Sequence, residues 1–200
     1  MDRRGRAVSR PGVYLALVHY PIRDKTGRTI TTSVTNLDLH DLARTGRTYG
    51  LRGYFVVTPI EAQRALVDHV LSYWREGRGG ERVPQRAQAL SIVRPVTDLD
   101  AALDAVRAEE GAAPELYTTC ARDRGEALGY AAAAARIAAR ERPVMLVFGT
   151  GYGLADAVVA RTDVHLAPVR PRGYNHLPVR SAVSIILDRL FGDDGADGAP

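Results

Sequence analysis

The segment VMLVFGTGYGLADAV, residues 144–158, decides the fold of this chain. Its first five residues are apolar, as in a buried strand, and they lead into Gly149, Gly151 and Gly153 before a helical pattern begins. Alternating glycines allow positive φ angles and let backbone groups approach a ligand closely. In α/β proteins such a loop, following a buried parallel strand, lies where ligands bind. The segment therefore predicts an α/β fold with a ligand site at this loop; a simple tight turn is the alternative.

The rest of the chain alternates short apolar stretches with helical patterns. Six stretches indicate strands, over residues 13–19, 54–57, 90–94, 115–119, 144–148 and 164–167. Six patterns indicate helices, over residues 36–50, 59–77, 98–109, 125–141, 153–160 and 176–191. The Gly- and Arg-rich stretch 75–88 is predicted to be a loop. Short buried strands that alternate with helices predict a mainly parallel sheet of about six strands, with helices on both faces.

The length of 200 residues fits one domain. We expect this domain to cover residues 12–191, between a disordered N-terminal segment, 1–11, and a disordered acidic tail, 192–200. The single cysteine, Cys120, excludes an internal disulfide framework and a multi-cysteine zinc site. We therefore expect no bound metal.

Charge and hydropathy point to a soluble protein that binds nucleic acid. No apolar run reaches the roughly 18 residues that a membrane-spanning helix needs, and the basic start lacks the apolar region of a signal peptide. We therefore expect a cytoplasmic protein that does not bind membranes. Of the 27 basic residues 26 are arginine, whose planar fork of donors suits phosphate and stacks on bases. A GC-rich genome that encodes Arg in place of Lys is the alternative explanation.

Three strings of sequence, taken together, resemble one known superfamily. They are HYPIRDKTGRTITTSVTNLDLHDLARTGRTYG (19–50), FGTGYGL (148–154) and YNHLPVRSAVSIILDRL (174–190). Over residues 12–191 the chain resembles the SPOUT superfamily of S-adenosylmethionine (SAM)-dependent RNA methyltransferases. Within it, the chain is most similar to a bacterial family related to the catalytic domain of tRNA guanine-N1 methyltransferase. The resemblance implies that tRNA or rRNA is methylated on a base or a ribose.

The resemblance also implies a C-terminal trefoil knot, a homodimer with each active site near the subunit interface, and SAM bound in the knot. Three loops would hold SAM: the turn after strand 115–119, the glycine loop, and the stretch 166–179. The implied SAM contacts are Thr118, Thr119, Phe148, Gly149, Thr150, Gly151, Gly153, Leu166, Pro168, Tyr174, Asn175, His176, Leu177 and Val179.

The first string carries the candidate catalytic residues. Arg44, followed six residues later by Gly50, resembles the superfamily's arginine and its trailing glycine. We expect Arg44 to position RNA or to polarise the target base. We expect Asp41 or Asp38 to remove the acceptor's proton, with His19 and His176 in reserve. An ordinary surface ion pair between Asp41 and Arg44, which are three residues apart, is the alternative.

Arginines in two segments, both expected to be mobile, are candidates for contacts with the RNA backbone. They are Arg23 and Arg28 in the first segment, and Arg75, Arg78, Arg82 and Arg86 in the second. A solvated loop without a binding role is the alternative for the second segment.

Two other classes of function stay open. One is a knotted RNA-binding protein that has lost catalysis, because related enzymes carry an asparagine where this chain has Asp38. The other is a nucleotide- or NAD-binding enzyme of the ordinary doubly wound type. The position of the glycine loop on the fifth predicted strand disfavours this second class, since a dinucleotide fingerprint opens its βαβ unit.

Overall fold

The computed structural model describes residues 12–119, 127–169, 174 and 176–192. Within these ranges the chain forms eight strands and eight helices. The strands are β1 (Val13–Val18), β2 (Ile22–Arg23), β3 (Thr29–Ile30), β4 (Gly53–Val57), β5 (Val93–Val96), β6 (Glu115–Thr119), β7 (Val144–Gly149) and β8 (Val164–Leu166). The helices are α1 (Asn36–Thr48), α2 (Glu61–Arg75), α3 (Arg78–Arg82), α4 (Pro84–Leu90), α5 (Leu99–Glu110), α6 (Tyr130–Ala138), α7 (Asp156–Val159) and α8 (Val179–Phe191).

Six of the strands form one parallel sheet in the order β5-β4-β1-β7-β6-β8. Helices cover both faces of this sheet. One apolar cluster joins the sheet to α1, α2, α4, α6 and α8, and a second joins the other face to α5 and α7. The central strands β1 and β7 are apolar and almost wholly buried, as a doubly covered parallel sheet requires. The predicted α/β fold with six parallel strands is therefore confirmed.

The stretch 75–88 is helical, so the loop predicted there is wrong. It completes α2 and forms α3 and most of α4. Gly79 is buried against Trp74, and the Arg86 guanidinium stacks over the same ring at 5.1 Å from its centre. Pro84 occupies the first turn of α4, where its missing N–H leaves no hydrogen bond unmade. Packing on one aromatic ring thus overrides a composition typical of loops.

Other boundaries also differ from the sequence prediction. The helix expected over 125–141 is limited to α6, and residues 125 and 126 lie outside the described residues. The strand expected at 90–94 lies at Val93–Val96, because α4 continues to Leu90. The helix expected over 153–160 is limited to α7, since the residue before it is still extended. The helix expected from residue 176 begins at Val179, because the backbone of Pro178 is extended with ψ 144°.

The polar stretch after β1 folds back onto the glycine loop. β2 and β3 form a two-stranded antiparallel ribbon that turns at Gly27, where φ is 87°. Ile22 in this ribbon is fully buried. Arg23 N donates to Gly153 O at 2.9 Å, and Tyr152 N donates to Arg23 O at 3.3 Å. The ribbon therefore holds one side of the glycine loop in place.

The segments predicted to be disordered, 1–11 and 192–200, lie outside the described residues, apart from Gly192. Across the described ranges no helix is long and apolar enough to cross a membrane. The same ranges contain no group of three or more His, Cys, Asp or Glu side chains that could hold a metal ion.

Candidate functional site

A cavity of about 1010 Å³ opens at the carboxyl ends of β6 and β7. The loop after β8 and the start of α8 close its other sides. The structure thus brings together the end of β6, the glycine loop and the described part of the stretch 166–179, all of which the resemblance assigned to SAM; residues 120–126, 170–173 and 175 lie outside the described residues. The residues assigned from the sequence that line the cavity are Thr118, Thr119, Phe148, Gly149, Thr150, Gly151, Gly153, Pro168, His176, Leu177 and Val179.

Three residues assigned to SAM from the sequence are not among those that line the cavity. Leu166 in β8 is buried in the apolar core between the sheet and its helices. Tyr174 is 84% exposed, and its ring packs edge-on against His176 at a centre-to-centre distance of 5.3 Å. Asn175 lies outside the described residues.

The glycine loop needs its glycines for two different reasons. Gly151 and Gly153 have φ angles of 55° and 102°, a region that L-residues with side chains rarely adopt. Gly149 has no such angle, but a Cβ atom there would lie 2.7 Å from Leu154 N. The loop is closed by a hydrogen bond from Gly153 N to Thr150 O at 2.9 Å. A side chain at any of the three positions would therefore change the shape of the cavity floor.

A chain of hydrogen bonds runs under this loop from a buried histidine. His19 Nδ1 lies 3.1 Å from Thr32 Oγ1, and the Thr32 hydroxyl hydrogen-bonds to the Thr150 hydroxyl. The Thr150 hydroxyl in turn donates to Val18 O at 3.2 Å. Each hydroxyl has one proton to donate. All three hydrogen bonds therefore form when His19 Nδ1 carries the proton of the ring and Nε2 does not.

The environment of His19 agrees with a neutral ring. The side chain is fully buried, and Nε2 has no hydrogen-bond partner among the described residues. Burial lowers the pKa of His19 to about 4, against a smaller raising effect from the charge of Asp38. Because burial lowers its pKa, the His19 ring is a weak base, and His19 is not among the residues that line the cavity. Its described contacts are therefore those that support the glycine loop.

Asp38 is the sequence-predicted catalytic residue that lines the cavity. Thr35, the N-cap of α1, accepts from Asp38 N at 3.2 Å and donates from its hydroxyl to Asp38 Oδ2 at 2.7 Å. Asp38 Oδ1 lies 3.6 Å from Arg180 Nε. Only 8% of Asp38 is exposed, so the carboxylate is held by these two neighbours at the edge of the cavity.

The other two predicted catalytic residues lie on later turns of α1 and are not among the cavity-lining residues. Asp41 Oδ2 accepts a hydrogen bond from Arg180 Nη1 at 3.0 Å. Arg44 is exposed to solvent. The ion pair that the spacing allows between Asp41 and Arg44 is replaced by the pair with Arg180, a residue that sequence reasoning did not single out.

Of the six predicted RNA-binding arginines, Arg23 lines the cavity. Its Nη1 lies 2.9 Å from Asp156 Oδ1, and the Asp156 side chain is 77% exposed. Arg28 lies further out, where its Nε contacts Asp24 Oδ2 at 3.0 Å. The pKa of Asp24 is lowered to about 2, chiefly by hydrogen bonds from Thr26 and Arg28. Arg23 is therefore the arginine of this segment that lies at the cavity.

The arginines of the second segment have two different roles. Arg75 donates from Nη2 to the backbone carbonyl of Val93 at 2.8 Å, which ties α2 to β5. Arg86 stacks on an indole ring, as described above. Arg78 and Arg82 lie on α3 and are exposed. Arg75 and Arg86 thus have structural contacts, and Arg78 and Arg82 are not among the residues that line the cavity.

Several cavity residues were missed from the sequence. Tyr130, at the start of α6, donates from its hydroxyl to Ala167 O at 2.7 Å and so fixes the loop after β8. Ala182 and Ile186 on α8 supply an apolar wall. These residues occur in helical patterns that indicate only packing, and their role depends on contacts distant in sequence. Ala182 and Ile186 fall within the third string, 174–190, but the resemblance assigned no SAM contact beyond Val179, and Tyr130 lies in none of the three strings.

The sequence was compared with known protein families and with curated proteins. Residues 12–192 match the family described as SAM-dependent RNA methyltransferase. A tRNA (guanine-N(1)-)-methyltransferase of Nitratidesulfovibrio vulgaris is 46% identical over 193 residues, which are 95% of this chain and 45% of that protein. This chain thus spans less than half the length of that relative. An uncharacterized protein of Aquifex aeolicus is 39% identical over 92% of this chain and 91% of its own length.

Solved structures agree with the fold. A probable methylase family protein from Haemophilus influenzae Rd KW20 has a TM-score of 0.61 at 18% identity, over 95% of this chain and 71% of that one. TrmJ from Z. mobilis ZM4 and the SpoU methyltransferase AviRb from Streptomyces viridochromogenes are also among the neighbours, with TM-scores of 0.55 and 0.57 at 21% and 12% identity, and they share the fold. The family match covers nearly the whole described chain, including every loop of the cavity. This chain belongs to the SAM-dependent RNA methyltransferase family.

Proposed function

We propose that this protein transfers a methyl group from SAM to tRNA, and that Asp38 removes the proton of the acceptor. The observation that carries the proposal is the position of Asp38, which is held at the edge of the cavity that the glycine loop builds. The family match and the tRNA methyltransferase relative support the choice of cofactor and substrate.

The cavity suits SAM in size and in lining. Its volume of about 1010 Å³ is at the upper end of the range for small-molecule pockets, roughly 300–1,000 Å³, so it leaves room beside a nucleoside-sized cofactor. Phe148, Leu154 and Ile186 offer apolar surface for an adenine ring. Asp38 offers the only carboxylate among the described lining residues.

The protein's contribution to methyl transfer is mainly geometric. Bound SAM supplies a methyl group on a sulfonium, which needs no further activation. Alignment of donor and acceptor in one cavity lowers the barrier by several kcal/mol. Thr35 and Arg180 keep the Asp38 carboxylate oriented, and a positioned base contributes about 100-fold or more to the rate. Asp38 accepts the N–H or O–H proton that the acceptor must lose.

Arg23 is placed to contact the tRNA backbone at the mouth of the cavity. Its ion pair with the exposed Asp156 is weak enough for a phosphate to replace it. Guanine N1 is the first acceptor to test, because the relative from Nitratidesulfovibrio vulgaris is named for that atom. A ribose 2′-hydroxyl is the second.

The proposal includes a cytoplasmic homodimer with a knotted C-terminal region and an active site near the subunit interface. Exposed apolar side chains next to the cavity support an interface there. Leu37, beside Asp38 on α1, is 59% exposed, and the cavity residue Leu177 is 42% exposed. Light scattering on the purified chain tests this part of the proposal, and a monomer at micromolar concentration would contradict it.

An RNA-binding protein without catalysis is the weaker candidate. A protein that only binds RNA has no need of three glycines that shape a cavity floor, nor of a carboxylate fixed at its edge. The family match also favours an enzyme.

Methyl transfer from tritiated SAM to bulk tRNA tests the proposal, followed by mass analysis of the modified nucleosides. We expect Asp38→Asn, which keeps the shape of the side chain, to lower kcat by about 100-fold or more. Asp68→Asn, at an exposed position of α2, is the matched control and keeps full activity. If the wild-type chain binds SAM but methylates no tRNA, the proposal that tRNA is the substrate is wrong. If Asp38→Asn keeps full activity, the proposal that Asp38 is the base is wrong.

A further inference from the structure

We infer that Arg180 is a positioning residue, which sets the Asp38 carboxylate relative to the wall of the cavity. The inference rests on the proposed function only for its effect on turnover. Arg180 follows directly on residues 176–179, three of which are implied SAM contacts that line the cavity. Its guanidinium reaches from α8 to two carboxylates of α1.

Three polar contacts join α1 to α8, each one helical turn after the last. The pairs are Asp41–Arg180, Thr45–Ser184 and Tyr49–Asp188, at 3.0, 3.4 and 3.0 Å. The residue numbers of each pair differ by 139. A constant offset means that the two helices run parallel in register, with contacts four residues apart on each.

The first contact differs from the other two. Only Arg180 also approaches a cavity residue, through its Nε at 3.6 Å from Asp38 Oδ1. The second and third contacts, together with the buried Val183 and Leu187, keep α8 packed on α1 if the first is lost. Removal of Arg180 is therefore expected to free Asp38 without undocking the helix.

The geometry of the side chain explains why arginine occupies this position. A guanidinium presents donors in a planar fork, so one side chain can contact Asp38 and Asp41 at once. A lysine ammonium is a point charge that keeps the attraction without the fork. The Arg180 and Asp41 side chains are 33% and 47% exposed, so this ion pair adds little to the stability of the fold. Its main effect is to orient the Arg180 guanidinium.

Amide hydrogen exchange on the full chain without ligands tests the inference independently of catalysis. In Arg180→Met, the cap between Thr35 and Asp38 loses its outer support. We expect exchange at the Asp38 amide to be about tenfold faster than in the wild type. Tyr49→Phe, which removes the third contact between the same helices, is the matched control and leaves exchange at Asp38 unchanged.

Kinetics separate positioning from a merely structural role. In Arg180→Met we expect kcat to fall by about 100-fold, since a displacement of 1 Å has this effect, while the Kd for SAM stays within about twofold. Arg180→Lys recovers part of the loss, and Tyr49→Phe retains the wild-type kcat. The inference is wrong if Arg180→Met matches the wild type in both kcat and the exchange rate of the Asp38 amide, or if Tyr49→Phe shows the same changes as Arg180→Met. A wild-type chain without methyl transfer overturns the proposed function, and the exchange result still decides the role of Arg180.

Discussion

The Thr32 hydroxyl hydrogen-bonds to the Thr150 hydroxyl, which joins the segment after β3 to the glycine loop. Further hydrogen bonds connect Thr32 to His19 and Thr150 to Val18 O. These contacts connect the cavity floor to the end of β1, the strand at the centre of the sheet. The shape of the loop therefore depends on hydroxyl groups as well as on glycines.

Loss of the Thr150 hydroxyl is expected to weaken SAM binding. Thr150→Val keeps the shape of the side chain but removes this donor to Val18 O, so the loop is held less firmly and must be ordered when SAM binds. Since a hydrogen bond contributes about 1 kcal/mol, we expect Kd to rise by up to about tenfold. Thr150→Ser retains the hydroxyl and is the matched control. Calorimetric titration with SAM measures both, and equal affinities for the Val and Ser variants would contradict the role of the hydroxyl.

His19 is expected to make stability depend on pH. Burial lowers its pKa to about 4 from an unfolded value of 6.5, so between these values the unfolded chain binds more protons than the folded one. The contribution of neutral His19 to the free energy of unfolding is therefore fully present above pH 6.5. It falls by about 3 kcal/mol as the pH drops from there through the folded pKa.

The variant His19→Asn isolates this effect from that of His40, whose pKa is also lowered by burial. Urea unfolding between pH 7 and pH 4 is expected to show a shallower fall in the free energy of unfolding for His19→Asn than for the wild type. His69→Asn, at an exposed position, keeps the wild-type slope. Parallel curves for the wild type and His19→Asn would show that His19 is not buried in its neutral form.

A methyl group at Gly149 is expected to destabilise the protein. The Cβ atom would lie 2.7 Å from Leu154 N, so the backbone of the loop must move, and overpacking of this kind costs about 2 kcal/mol. At Gly129, the N-cap of α6, a Cβ atom meets nothing within 4 Å and φ is −67°, so Gly129→Ala is the matched control and changes stability by less than about 1 kcal/mol. Thermal unfolding compares the two, and a neutral Gly149→Ala would contradict the tight turn.

Arg23 is expected to contribute one phosphate contact to RNA binding. Arg23→Gln weakens tRNA binding and reduces the salt dependence of log Kd by about one unit of slope, because one fewer counterion is released. Arg161→Gln is the control, since Arg161 pairs with Asp100 on α5 and does not line the cavity. Binding titrations at several salt concentrations measure the slope, and equal slopes for the two variants would exclude a contact by Arg23.

Local signals in the sequence predicted the sheet and most of the cavity floor. The six strands of the sheet are mostly buried and occur as apolar runs in the sequence. Gly149, Gly151 and Gly153 mark a loop whose backbone requires glycine. Both features depend on residues that are neighbours in the chain. The motif resemblance added the loop after β8 and the start of α8. The structure brings these segments to one cavity, as expected.

The features that the sequence could not supply depend on distant partners. Arg180 meets Asp41 only because two helices 139 residues apart pack in register, and no local pattern encodes that register. The same applies to Tyr130, which reaches Ala167 O from another helix. The helices at 75–88 were missed because Trp74 stabilises a segment whose Gly, Pro and Arg content is typical of loops.

The central claim is that the cavity under α8 binds SAM, and calorimetric titration of the purified chain with SAM tests it most directly. Ala182→Phe places a large side chain into the cavity without changing the glycine loop, and Ser181→Phe places the same side chain on the exposed face of the same helix. We expect micromolar binding by the wild type and by Ser181→Phe, and none by Ala182→Phe. Absence of binding by the wild type, or equal binding by both variants, would contradict the account.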